Sequence, residues 1–239
     1  MAASGTVIAA LRHRDGVLIG ADSQASDPIA LVRWAVTKLR RIGALPFVIG
    51  FSGSMGSAER IFDALDAAGI RPNQLDRKAR FQTYLDGLLK PEYTAAAGRS
   101  ANPFQPIPIW GLAGACIERE ARILEYEASG DSSWHEHFHA IGSGAPTAYA
   151  TFRTLGGRDL CRLSERTALL ALLRIIRTTI GVDVSGVSDP IHVWRVACTG
   201  ASELPDDEVN VNLQAVAEWE QQERQALFAA DGLTPEPPA

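Results

Sequence analysis

No apolar stretch of this 239-residue sequence approaches the roughly 20 residues needed to span a bilayer, and no basic segment followed by a hydrophobic run opens it. A membrane-spanning or conventionally exported protein is therefore not expected, and the cytoplasm is the default location. Basic clustering is scarce too. Lysine and arginine number 23 against 28 acidic residues, the net charge is -5, and the one local basic cluster is KLRR at 38–41. Nucleic acid is excluded as the main partner, because phosphate binding is driven by clustered cations. There are only three cysteines, Cys116, Cys161 and Cys198, odd in number and far apart in apolar surroundings. They read as reduced, buried thiols in a reducing compartment rather than as a disulfide framework. Internal repeats and a credible linker are also missing, which favours one domain.

What is present is ordinary globular material, 46% hydrophobic and 21% charged. Two largely apolar runs, 6–12 and 17–22, flank Asp15-Gly16, a dipeptide suited to a tight hairpin turn. A second pair, 36–42 and 47–53, follows, so the chain is expected to open with four antiparallel strands. Helical spacing of Ile61, Phe62, Leu65 and Ala68 then predicts a helix capped by Gly69, and a second helix from about Asp76 to Leu89 is expected to end before Pro91. Residues 92–108 read as a long loop. Strands are expected at 109–117, 121–129, 138–144 and 191–198, and helices at 145–155, 165–180 and 211–229. The pattern predicts an α+β domain of two stacked antiparallel sheets with helices outside. Its span is 6–230, after a short leader at 1–5 and before a disordered tail at 231–239.

Two equal spacings concentrate the chemistry. Asp22 follows Thr6 by sixteen residues, and Lys38 follows Asp22 by sixteen. Together with GT at 5–6, DGVLIGADSQAS at 15–26, KLRRI at 38–42, FVIGFSGS at 47–54 and AIGSGAP at 140–146, they form an ordered set. In this set the chain resembles the proteasome β-subunit family of N-terminal-nucleophile hydrolases, and in detail the bacterial HslV-type subunits. The resemblance covers most of residues 5–200 and implies a four-layer αββα sandwich.

It also implies a threonine peptidase that cleaves its own Gly5-Thr6 bond. Gly5 suits that step, since the absence of a side chain opens its carbonyl to the Thr6 hydroxyl. The freed α-amine, titrating near pH 8, can accept the hydroxyl proton, so one residue supplies nucleophile and base. The β-methyl of threonine restricts χ1 and holds the hydroxyl in an attacking rotamer. The resemblance assigns Lys38 to stabilising developing charge, Asp22 to fixing Lys38, the Gly53 N–H to the oxyanion and Ser143 to orienting the amine. Asp183 and Ser185 match a further pair, at a spacing that departs from the family pattern and leaves Ser188 and Asp189 as competitors. By position, Ala25, Val36, Phe51 and Met55 would line an apolar substrate pocket.

The implied partners are a peptide or unfolded protein substrate and further copies of the chain in a six- or seven-fold ring that can stack in pairs; an ATPase unfoldase is a further candidate partner. No cofactor, metal, nucleic acid or membrane is expected. Two other functions compete: a catalytically silent scaffold subunit that retains its leader, and an amidase acting on small molecules. One motif stands apart from these. His135, His137 and His139 alternate, so on one strand they would share a face and could bind zinc or nickel, yet no fourth ligand is identifiable. The expectation is an ordinary exposed strand face.

Overall fold

The computed structural model describes residues 5–27, 32–71, 76–98, 109–127, 129–182 and 187–230. Strand alternation sets the layering. In β1 (Ile8–His13) and the residue before it, Val7, Ala9 and Leu11 point one way, into a core shared with helices, while Ile8 and Ala10 point the other way, into a core between two sheets. Both faces are covered, which is why the run reads as continuously apolar.

The first sheet adds β2 (Gly16–Asp22), β10 (Phe138–Ile141), β11 (Ile191–Ala197) and β12 (Gly200–Glu203) in the order β10-β1-β2-β11-β12. The second holds β5 (Leu39–Arg41), β6 (Phe47–Ser52), β7 (Trp110–Ile117), β8 (Glu120–Tyr126) and β9 (Ser132–His135), in chain order. A separate hairpin pairs β3 (Gln24–Asp27) with β4 (Val32–Ala35). Every pairing is antiparallel.

Helices cover the outer faces. On the second sheet α1 (Met55–Ala68) and α2 (Lys78–Gly98) bury Ile61, Phe62, Leu65, Phe81 and Leu85 against Phe47, Ile49 and Phe51. On the first, α3 (Ala145–Thr154) and α4 (Glu165–Val182) pack over Val7, Ala9 and Leu18. The last helix, α5 (Asp206–Ala229), adds Val209 and Val216 to that cluster. Its acidic face meets α4 through Arg174, which pairs with Glu220 and Glu223. The expected αββα sandwich is the observed architecture.

Several local expectations change. The four opening strands are split: β1 and β2 belong to one sheet, β5 and β6 to the other. The first turn sits at Arg14-Asp15, one residue early, because Gly16 pairs with His13, where a Cβ would lie 2.6 Å from the Val196 carbonyl oxygen of β11. Helix α2 runs through Pro91 instead of stopping before it. Phe81, Leu85, Leu89 and Tyr93 form an unbroken buried i,i+4 stripe across the proline, and that packing outweighs the lost amide, an effect on the order of 3 kcal/mol. The last helix begins at Asp206 rather than 211, and the 138–144 strand ends at Ile141. Residues 1–4, 183–186 and 231–239, which include most of the expected leader and the expected tail, lie outside the described residues.

The cysteine reading is overturned. Cys116, at the end of β7, and Cys198, in the turn between β11 and β12, form a disulfide with Cα atoms 5.0 Å apart. The two residues are 82 positions apart and come from different sheets, so their proximity exists only once the sandwich is assembled. Cys161 alone is free. The cysteines therefore no longer argue for a reducing compartment. Replacing Cys198 with Ala is expected to lower unfolding stability by roughly 2–4 kcal/mol, read from the denaturant midpoint. Thiol titration of the denatured, unreduced chain should find Cys161 only; reaction of all three cysteines would contradict the pairing.

Candidate active site

Thr6 lies just ahead of β1, and its backbone is fixed from two sides. Its N–H donates to Ser143 Oγ at 3.1 Å, and its carbonyl accepts the Gly144 N–H at 3.1 Å. Both partners sit in the turn after β10, so the β1–β10 pairing places them. Gly142 makes the approach possible. It adopts φ +95°, and a Cβ there would collide with the Thr6 carbonyl and lie 3.2 Å from Ser52 Oγ.

Asp22 ends β2, directly alongside. Its own N–H donates to Val7 O at 3.2 Å, while its carboxylate accepts from Val7 N at 2.9 Å and Gln24 N at 3.1 Å. Lys38 comes from the other sheet, immediately before β5. Its ammonium donates to Asp22 Oδ1 at 2.7 Å and to Thr6 Oγ1 at 3.2 Å. Hydroxyl, ammonium and carboxylate thus form one hydrogen-bonded line across the two sheets. Asp22 is fully buried, and Thr6 and Lys38 are each 6% exposed.

Burial governs the electrostatics of the pair. It draws the Lys38 ammonium below the usual lysine value, with Asp22 pulling the other way. It likewise pushes the Asp22 carboxyl up, against the opposing pull of Lys38 and of the Val7 and Gln24 amides. A lysine made less basic beside a hydroxyl can share or relay a proton more readily than a solvated one, and its charge acts in a medium that screens it weakly.

The other sequence-derived positions are less concentrated. Gly53 follows β6 with φ +119° and precedes the Ser54 cap of α1. Val36 is half-buried two residues before Lys38, and its N–H donates to Ser23 O at 2.7 Å. Met55 is half-buried at the start of α1. Phe51 packs edge-on against Phe62, with ring centroids 5.2 Å apart, and is 5% exposed, which puts it in the core beneath α1. Ala25 lies on β3, and its side chain is outside the described residues, as are Asp183 and Ser185. Two surface grooves, one beside Asp86, Lys90 and Pro91 and one beside Arg40, Trp194 and Glu203, do not include Thr6. The hydrogen-bonded set, rather than a cavity, locates this site.

A model of the proteasome subunit family matches residues 2–188, which include Thr6, Asp22, Lys38 and Ser143. The chain belongs to the proteasome subunit family. A search of the curated proteins found no match. Proteasome subunits are generally threonine-type N-terminal-nucleophile hydrolases that form ring oligomers, and the two-sheet sandwich described above agrees with that family.

Sequence reasoning missed the main-chain amides of Val7 and Gln24 and the role of Gly142. Amides carry no residue signature, although the glycine within GSG was a readable signal. The histidine expectation also changes. The three residues do not share one strand face: β9 ends at His135, residues 136–137 form a bend, and β10 starts at Phe138. His139 is 9% exposed and thus buried, and it meets His135 and Glu125 instead of solvent. His137 pairs with Glu136.

Proposed function

We propose that this proteasome-family chain is a self-processing, HslV-type threonine peptidase working in a ring of identical subunits, with Thr6 as its nucleophile. The observation that carries the reading is the 3.2 Å contact of the Lys38 ammonium with Thr6 Oγ1 while the same ammonium is held at 2.7 Å by Asp22. A buried ion pair contributes little net stability over apolar packing, so a silent scaffold has no physical need for one at this position.

In the proposed processing step Thr6 Oγ attacks the Gly5 carbonyl, the Gly5-Thr6 amide bond breaks, and an ester to Thr6 forms. Water then hydrolyses the ester, releasing the leader as a carboxylate and leaving a free α-amine on Thr6. Gly5 is buried beside the site, which is where that attack requires it. Ser143 Oγ, already bonded to the Thr6 nitrogen, would hold the new amine in reach of the hydroxyl.

For a substrate, the hydroxyl proton passes to the amine as Oγ attacks the peptide carbonyl. The oxyanion is stabilised by the Gly53 N–H, with the Lys38 charge nearby. Collapse breaks the peptide C–N bond, the leaving amine takes the proton, and water cleaves the resulting ester. Val36, Met55 and Ala25 would shape the adjoining pocket, with Phe51 packed beneath α1 behind it, and Asp183 and Ser185 would support the amine. The fitting substrate is an extended peptide or unfolded protein; an ATP-driven unfoldase feeding the chamber belongs to the same proposal.

Hydrolysis of an unstructured peptide, followed by mass spectrometry, tests the activity. Products from the purified ring support it, and their absence at every pH tested favours the scaffold reading. The pH profile adds a signed expectation. Activity rises as the α-amine loses its proton, near pH 8. It falls again on the alkaline side before pH 10.5, because burial lowers Lys38 and its charge is lost early. A profile still rising past pH 10.5 would contradict the role of the lysine.

A further inference from the structure

The cluster formed by Glu125, His135 and His139 lies where the edges of the two sheets meet. Glu125 comes from β8 and His135 from β9, neighbours in the second sheet, while His139 comes from β10 at the edge of the first. Both imidazole Nε2 atoms lie 2.9 Å from the same carboxylate oxygen, Glu125 Oε2. The rings are stacked, with centroids 3.7 Å apart and planes 24° from parallel. All three donor atoms fall within 4.8 Å of one another.

Without a cation the carboxylate oxygen accepts from two neutral rings. Each ring must carry a proton on Nε2 to bond the shared oxygen, and protonating both nitrogens of both rings would stack two cations face to face. One divalent ion replaces both Nε2 protons and turns the convergence into coordination. The distances suit it. Right-angled bonds of about 2.1 Å separate ligand atoms by about 3.0 Å, and a tetrahedral zinc site with bonds near 2.0 Å separates them by about 3.3 Å. The two 2.9 Å edges to Glu125 Oε2 are close to these values, while the stacked rings must swing apart to a centroid separation of about 4.5 Å or more so that both Nε2 lone pairs point at one ion.

The surroundings resemble a prepared outer sphere. Tyr149 Oη lies 2.6 Å from His139 Nδ1, so that nitrogen can donate its proton there while Nε2 keeps a lone pair for a metal. Tyr149 is itself held edge-on by Phe138, with centroids 5.3 Å apart. Ser133 Oγ lies 3.4 Å from His135 Nε2 and 3.5 Å from Glu125 Oε2, close enough to orient a metal-bound water. The three side chains are 15%, 27% and 11% exposed, which leaves an entry route on the His135 side.

We propose that Glu125, His135 and His139 bind one divalent transition-metal cation of the imidazole- and carboxylate-preferring class that includes Zn2+, pinning the edge of one sheet to the other. Hard cations such as Mg2+ and Ca2+, which favour all-oxygen shells, are excluded by two nitrogen ligands. The role is structural. β10 runs from the site to Ile141 and leads into the turn that holds Ser143, so the bound ion would steady the strand ahead of the residue that orients Thr6.

The test uses untagged full-length protein, stripped with chelator and titrated with Zn2+ by calorimetry, so its readout does not depend on peptidase activity. One ion per chain is expected, with a rise in Tm. His135→Gln should weaken binding by on the order of 100-fold or more, Tyr149→Phe by about 10-fold, and His137→Gln should leave it unchanged. Co2+ in place of Zn2+ should give visible absorption bands that vanish in His135→Gln. Substoichiometric binding, or equal affinity in the wild type and His135→Gln, would overturn the proposal. So would loss of binding in His137→Gln equal to that in His135→Gln.

Discussion

Thr6→Ala is expected to reduce peptide hydrolysis by about 10^4-fold or more while leaving the fold in place. The substitution removes Oγ1, the atom that both processing and turnover use to form an ester, and among the described residues no second hydroxyl is hydrogen-bonded to Lys38. Ser143 cannot substitute, because its Oγ already faces the Thr6 nitrogen. Structurally the loss is small: the main-chain bonds of Thr6 to Ser143 and Gly144 survive, and the hydroxyl gives up the bond that it accepts from Lys38. Size-exclusion mass and Tm should therefore stay near the wild-type values, with Gly5 still attached. Thr6→Ser separates two contributions. It keeps the oxygen but frees χ1, so it should retain activity at a reduced rate. Full turnover by Thr6→Ala would remove this residue from the chemistry.

The Asp22–Lys38 pair gives the second large effect, and its signature is a split between stability and activity. Asp22→Asn leaves the Lys38 ammonium buried without a counter-charge and turns an amide group toward one of the N–H donors that the carboxylate now accepts. A loss of roughly 3–5 kcal/mol in unfolding free energy is expected, together with loss of activity. The double variant Asp22→Asn with Lys38→Met removes the stranded charge. It should recover most of that stability while remaining inactive, since no ammonium faces Thr6 Oγ1. Urea midpoints measured beside peptide turnover make the comparison. If the double variant were as unstable as the single one, the pair would be a stability element, and the catalytic assignment would lose its physical basis.

The layering of the fold was legible because strand alternation is a local property. Val7, Ala9 and Leu11 against Ile8 and Ala10 already state that two faces are buried. The short edge strands were not legible. QASD, SSWH and GASE are polar four-residue segments, defined by pairing with a neighbour rather than by any pattern of their own. Pro91 misled for the opposite reason, since a strong local rule was outweighed by the buried stripe from Phe81 to Tyr93.

For the site, it was the resemblance to the proteasome β-subunit family, not any one residue type, that singled out Thr6, Asp22, Lys38 and Ser143, and the structure joins these four by hydrogen bonds. What sequence could not supply was anything made by juxtaposing distant strands. Cys116 meets Cys198 across the sandwich, and Glu125 meets His139 across two sheet edges. Neither pair has a spacing that announces it.

The account rests on the amine of Thr6 becoming free, and the N-terminal residue of a catalytically active preparation tests that most directly. Intact mass together with the mass of the N-terminal peptide should show a chain beginning Thr-Val-Ile, with Gly5 and everything before it removed, and Thr6→Ala should keep them. An active preparation in which Gly5 remains bonded to Thr6 would contradict the account.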